Sequence, residues 1–339
     1  MDISSYLRRC AMLLALSACI PAMQGCDSAI YDGEGDCSVN YRVRFRYDYN
    51  MKFADAFAHE VNTVTLYLLD KDGRVVKQYT EQGEALAKEG YAMDVSVEPG
   101  TYSLLAWAGT ADKGSFSVPS TTVGTELGCT LLRQHSADGA AFVDADLDRL
   151  FHGYLPNQTF GETEGTYTYT VPLVKNTNNV RVVLQHLSGE AVDKDKFTFA
   201  ITDNNGSMGW DNALLPDEQI TYHAWHTESG QAGVDLQGEG AEAAFSAAIA
   251  ELTVPRLMKN QQTRLTVTNR ETGKTVFSIP LIDYALLVKG FYNSDMDDQE
   301  FLDRQDEYSM VFFLDKGDRW LDTYIYINSW KVVLQDTEL

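Results

Sequence analysis

No apolar run in this chain is long enough to cross a bilayer: the stretch from Ala11 to Ile20 falls well short of the ~20 residues that a membrane-spanning helix needs. Basic residues are scarce, with 27 Lys and Arg against 49 Asp and Glu among 339 residues, a net charge of −22. That deficit argues against nucleic-acid binding, which needs clustered cations on phosphates. It equally opposes passive adhesion to an anionic lipid surface. The six histidines are scattered. His223 and His226 stand three apart, but in a strand-like stretch that does not present both to one ion, as a helix would. The sequence holds no G-x-S-x-G elbow, no H-E-x-x-H helix and no phosphate-cradling glycine loop. Asp70-Lys71-Asp72-Gly73 opens like a calcium loop, yet the bidentate Glu such a loop requires is missing, so it reads as a hairpin turn. The acidic run Asp297, Asp298, Glu300, Asp303, Asp306 and Glu307 reads as a solvated face around Phe301 and Leu302. No catalytic residue, metal site or cofactor is expected.

At the start of the chain, Arg8 and Arg9 precede the short apolar run, and a small residue, Gly25, precedes Cys26. This order describes a secretory signal. Met23-Gln24-Gly25-Cys26 resembles the lipobox of bacterial lipoproteins, whose cysteine receives acyl chains such as palmitate and becomes the mature N-terminus. Leu16-Ser17-Ala18-Cys19 is a second spelling of the motif, but leaves a very short apolar segment after Arg9. The expectation is therefore a signal peptide over 1–25, lipidation at Cys26 and an acidic tether over 26–36. Removal of Asp2, Arg8 and Arg9 with the signal brings the mature charge near −23. Cys37 and Cys129 are left as an even pair in an oxidising compartment. A disulfide between them, worth about 4 kcal/mol in the chain-entropy model, and two buried free thiols are both open.

Hydrophobic content of 44% supports packed cores. Tyr41, Val43, Phe45 and Tyr47 alternate with Arg42, Arg44 and Arg46, which predicts a strand with one buried and one cationic face. A short helix is predicted over Met51 to His59. Val61 to Leu69 and Arg74 to Tyr79 predict a hairpin about the Asp70–Gly73 turn, and Tyr91 to Val97 with Tyr102 to Ala108 a second one about Pro99-Gly100. One helical turn is expected from Asp144 to Phe151. The polar Lys175 to Asn179 segment marks a domain boundary, so the domains are 37–175 and 176–339. Beyond it, strands are predicted at Val180 to Leu187, Phe197 to Thr202, Arg264 to Thr268, Thr275 to Leu281, Tyr308 to Leu314 and Tyr324 to Val333. Ala241 to Leu252 fits a helix by propensity or a loop carrying a strand. The fold class is all-β, two antiparallel sandwiches in tandem.

Two groups of words in the sequence go further. Asp36-Cys37, Tyr41-Arg42-Val43, Asp48-Tyr49-Asn50, Phe53 to Phe57, Val64 to Tyr67 and Asp70 to Gly73 resemble the N-terminal domain of FimB-type fimbrial anchor subunits of type V fimbriae. Gln299 to Tyr308 and Ile325 to Trp330 resemble the end of the same family. The resemblance implies tandem transthyretin-like β-sandwiches. It also implies a lipid-anchored protein facing outward from the bacterial outer membrane, which holds the fimbrial shaft of fimbrillin subunits to the cell and helps limit its length. Shaft subunits of such fimbriae join by strand exchange, a form of β-augmentation. In an anchor the strand Tyr41, Val43, Phe45, Tyr47 is tied to the lipid and is expected to stay in place, closing its groove. The tail residues Val332, Val333 and Leu334 either complete the second sandwich, the favoured reading, or are donated to the shaft. An alternative function is a surface glycan-binding lipoprotein of a polysaccharide-uptake system. That reading calls for exposed, coplanar rings among Trp107, Trp210, Trp225, Trp320 and Trp330.

Overall fold

In a computed structural model, residues 38–110, 114–233, 244–291, 293, 295–322 and 324–333 are described. The first half contributes β1 (Val39–Arg46), β2 (Thr63–Leu69), β3 (Val75–Gln82), β4 (Met93–Val95), β5 (Gly100–Ala108) and β6 (Phe116–Ser117). It continues with β7 (Cys129–Leu131), β8 (Gln134–His135), β9 (Ala141–Val143), β10 (Phe151–Phe160), β11 (Gly165–Pro172) and β12 (Val174–Lys175). The second half begins with β13 (Thr177–His186), β14 (Phe197–Asp203), β15 (Ser207–Met208), β16 (Ile220–His223), β17 (His226–Gly233) and β18 (Ala244–Pro255). It closes with β19 (Arg264–Asn269), β20 (Thr275–Pro280), β21 (Glu307–Leu314), β22 (Tyr324–Ile327) and β23 (Trp330–Val333). Three short α-helices are present among the described residues: α1 (Phe57–Glu60), α2 (Leu281–Leu287) and α3 (Asp298–Arg304). The all-β expectation holds.

The first sandwich sets the sheet β11-β1-β4 against the sheet β12-β10-β5-β2-β3. Between them lies a core of Tyr41, Val43, Phe45 and Tyr47 with Leu66, Leu104, Phe151 and Val171. The second sandwich sets β17-β18-β13-β21-β22-β23 against β20-β19-β14-β16-β9-β8. Its core gathers Val180, Val182, Leu184, Phe199, Leu265, Met310 and Phe312, and also takes in Tyr67, Leu69, Leu105 and Trp107. Those last four lie on β2 and β5, whose alternate residues Leu66, Leu68, Leu104 and Ala106 face the first core. Both strands are therefore buried on both faces, which explains why Thr63–Leu69 is nearly apolar throughout instead of alternating.

Residues 116–143 precede the Lys175–Asn179 segment in the chain, yet β9 pairs in parallel with β16, and β7 pairs with β15. The first half thus lends strands to the sheets of the second. Lys175 itself ends β12 at the edge of the first sandwich, and two residues later Thr177 opens β13, a central strand of the second.

Several local expectations are corrected. Met93–Val95 and Gly100–Ala108 do not form a hairpin. β4 joins β1 with Tyr41 opposite Val95, whereas β5 lies between β2 and β10 in the facing sheet. The Pro99-Gly100 corner carries the chain across the sandwich, and alternation alone does not say to which sheet a strand belongs. The helix near Met51 is confined to Phe57–Glu60, because Asn50 and Asp55 side chains bond the backbone of Tyr47, Lys52, Ala54 and Phe57 in a compact loop. No helix forms over Asp144 to Phe151. Tertiary bonds claim that backbone, with Asp148 N donating to Ser115 Oγ and Leu150 N to Thr177 Oγ1. Gly109, at φ +87°, approaches Arg149 so closely that a Cβ would fall 1.8 Å from its carbonyl oxygen. The Ala-rich segment from Ala244 on is strand β18, small residues suiting a strand packed between β13 and β17. Tyr324 to Val333 is a hairpin, turned by Asn328 and Ser329 at φ +48° and +68°.

Candidate functional site

β1 alternates as its sequence demands, with Tyr41, Val43 and Phe45 buried and Arg42, Arg44 and Arg46 exposed. Tyr47 follows directly and is also buried. Aromatic neighbours fix each ring: Tyr41 lies 4.9 Å from Phe160, Phe45 stacks on Phe57 at 5.6 Å, and Tyr47 meets Phe151 edge-on at 5.0 Å. The Tyr41 hydroxyl donates to the Gly161 carbonyl at 2.7 Å, and desolvation by burial, with the neighbouring Tyr167, raises its pKa. On the outer face Arg42 pairs with Asp94 at 2.9 Å and Arg46 with Asp48 at 3.1 Å. These exposed pairs add little stability.

What distinguishes the strand is its place. β1 is the middle strand of its sheet, parallel to β11 along its whole length, from Val39 opposite Gly165 to Arg46 opposite Pro172, and antiparallel to β4 on its other side. One edge is paired along its full length and the other from Tyr41 to Val43, so withdrawing it would break both ladders and empty a core groove.

Other residues singled out in the sequence lie elsewhere. Cys129 is fully buried on β7, without a sulfur partner among the described residues, and burial pushes its thiol up to about 12. Cys19, Cys26 and Cys37 lie outside the described residues, as does Leu334. Val332 and Val333 stand on β23, opposite Ile325 and Tyr324 at the edge of the second sandwich. His223 ends β16 and His226 begins β17, in different sheets, both exposed. Among the tryptophans, Trp107 is buried and donates to Leu127 O, Trp210 and Trp320 are half-buried, and Trp225 is 40% exposed. The side chain of Trp330 lies outside the described residues, and the others form no coplanar exposed pair.

The acidic run is not simply solvated. Asp303, on α3, is buried in a two-pronged pair with Arg256 at 2.7 and 2.8 Å, and Asp306 shares the Lys175 ammonium with Glu60. Arg304 lies 3.9 Å over the Tyr49 ring and 4.7 Å from that of Phe53. The junction between the halves is therefore built from side chains that neither periodicity nor composition marks: Lys175, Arg256 and Arg304 with their carboxylate and aromatic partners.

The family model described as fimbrillin-A associated anchor proteins Mfa1 and Mfa2 matches residues 34–336. The chain belongs to the Mfa2 fimbrial anchor family. It is 23% identical, over 277 residues covering 80% of it and 78% of the relative, to the minor fimbrium anchoring subunit Mfa2 of Porphyromonas gingivalis. The solved structure of that fimbrial anchor protein superposes with a TM-score of 0.64 over 88% of this chain and 100% of the other, at 17% identity, a likeness of fold. Two solved proteins of Bacteroides thetaiotaomicron are also similar. One, described as a candidate adhesin, is 36% identical with a TM-score of 0.78, over 89% of this chain and all of that one. The other, described as a candidate polysaccharide-binding protein, is 33% identical with a TM-score of 0.74, over 88% and 99%. The matched family is one of structural proteins of fimbriae.

Proposed function

We propose that this protein is a fimbrial anchor subunit, a surface lipoprotein acylated at Cys26 that attaches a shaft of fimbrillins to the outer membrane. In this reading β1 is never exchanged. The observation that carries it is the position of β1, paired along its whole length to β11 and from Tyr41 to Val43 to β4, with Tyr41, Val43, Phe45 and Tyr47 in the first core. Only a short tether separates β1 from the lipid, so a subunit that kept its first strand would remain moored. It would also offer no open groove to a further subunit, and the shaft would end there. Val332 and Val333, on the edge strand β23, complete the second sandwich in this account and are not donated.

Limited trypsin treatment of the lipidated protein on intact cells tests the reading. Arg42, Arg44 and Arg46 are expected to resist, because a strand paired to β11 along its whole length does not enter a protease cleft, and the acylated N-terminal peptide stays joined to the fold. Rapid cleavage after any of these arginines overturns retention. In parallel, Cys26→Ala is expected to release shafts into the medium; shafts that stay on the cell overturn lipid anchoring at this residue.

A further inference from the structure

The outer face of the sheet that holds β13 carries a cleft that anchoring does not use. Its residues face away from the core on three central strands. Arg181 of β13 stands between Glu251 of β18 and Ser309 of β21, and Asn179 stands between Thr253 and Glu307. These two polar rows lie two residues apart along the strands, about 6.6 Å, with neighbouring strands about 4.8 Å apart. Trp225 forms one rim, placed by a 3.0 Å bond from its backbone N–H to the Glu251 carbonyl, and Asn328 forms the other. The cleft measures about 570 Å³.

The indole is fixed by its edge. Its Nε1–H donates to Thr253 Oγ1 at 3.1 Å, and that hydroxyl donates to Asp146 Oδ1 at 2.5 Å. The ring lines the cleft and is 40% exposed, the only exposed tryptophan side chain among the described residues. Around it, hydrogen-bonding capacity is left over. Arg181 uses Nε on Glu251 at 2.6 Å and keeps its terminal nitrogens, while the Asn179 amide and the Glu307 carboxylate have no partner among the described residues. Asn328 is held by the Ser309 backbone and cannot swing away.

A fixed aromatic ring beside donors and acceptors held at sheet spacing suits a ligand with one apolar face and a rim of groups that both donate and accept. A pyranose ring is such a ligand, its C–H face meeting the indole and its hydroxyls bridging carboxylate, amide and guanidinium. An apolar ligand would strand Asn179 and Glu307 without partners. A lysine side chain would meet the Arg181 guanidinium, which already pairs with the Glu251 carboxylate. Because the side chains are already placed by the sheet and by one another, little ordering opposes binding.

We propose that this cleft is a saccharide site for neutral pyranose oligosaccharides, independent of whether β1 is retained. The full chain is titrated with maltohexaose, cellohexaose, xylohexaose and laminarihexaose, followed by tryptophan emission and calorimetry. At least one is expected to bind. Trp225→Ala weakens it by roughly tenfold or more, and Asn179→Ala, an exposed position that leaves the melting temperature unchanged, weakens it severalfold. Failure of all four sugars at millimolar concentration overturns the proposal, as does undiminished binding by both variants. So does capture of a lysine-rich peptide, lost in Trp225→Ala, where no sugar binds.

Discussion

Phe45 sits at the centre of what β1 contributes, stacked on Phe57 and 4% exposed. Truncating it to Ala removes a buried ring from a tightly packed core, and the expected loss is roughly 3–5 kcal/mol in urea unfolding. Arg44→Ala on the exposed face should change stability by less than about 0.5 kcal/mol. His152 gives a pH dependence. It is buried, its Nε2–H donates to the Trp210 carbonyl at 2.8 Å, its ring meets Trp107 edge-on at 4.7 Å, and burial holds its pKa down at about 4. Below about pH 6.5 the unfolded chain takes up a proton that the folded chain refuses. Stability is therefore lost as pH falls from about 6.5 toward 4, by at most about 3 kcal/mol, and levels off below. Asp203, whose pKa is raised by burial, acts in the opposite sense at the acid end. Urea midpoints across this range should slope less in His152→Gln, which keeps a donor for Trp210 but does not titrate. Nothing in Phe151-His152-Gly153 marks that imidazole as buried, whereas the alternation of Tyr41 to Tyr47 states its burial outright.

At the level of elements, strands whose two faces differ were legible, because burial writes itself as period two. β1, β14 and β21 follow their patterns, and the Asp70–Gly73 hairpin is built as its turn residues require, with Asp70 Oδ1 accepting from the N–H groups of Asp72 and Arg74. Partnership was less legible. β4 and β5 alternate in succession like a hairpin, yet they belong to facing sheets. Which neighbour a strand takes is decided by β1 and β10, far away in sequence. The stretch from Asp144 to Phe151 has helix-forming residues, but Ser115 and Thr177 outbid the local bonds. The Ala-rich β18 shows helix propensity yielding to sheet pairing on both edges, with β13 on one side and β17 on the other. The polar residues of the cleft beside Trp225 were each visible, but only register places Asn179, Arg181 and Glu307 on one face.

Across the whole molecule, the two sandwiches are joined by more than a linker. Lys175, with a side chain 5% exposed, holds Glu60 of α1 and Asp306 beside β21, and Asn176 exchanges bonds with Asn212 next door. Lys175→Met keeps the volume but strands two carboxylates near the junction. The expected cost is roughly 2–4 kcal/mol, seen as a lower melting temperature. Glu60→Gln together with Asp306→Asn in that background should recover part of it; no recovery would show that the ammonium is not what holds the junction. β1 finds its parallel partner far along the chain, Val39 meeting Gly165. Without the residues up to Pro172 the strand can pair only with β4, through Tyr41 to Val43. Closure of the first sandwich therefore couples β1 to the stretch just before the junction, so a lesion in β11 loosens β1 as surely as one in β1 itself.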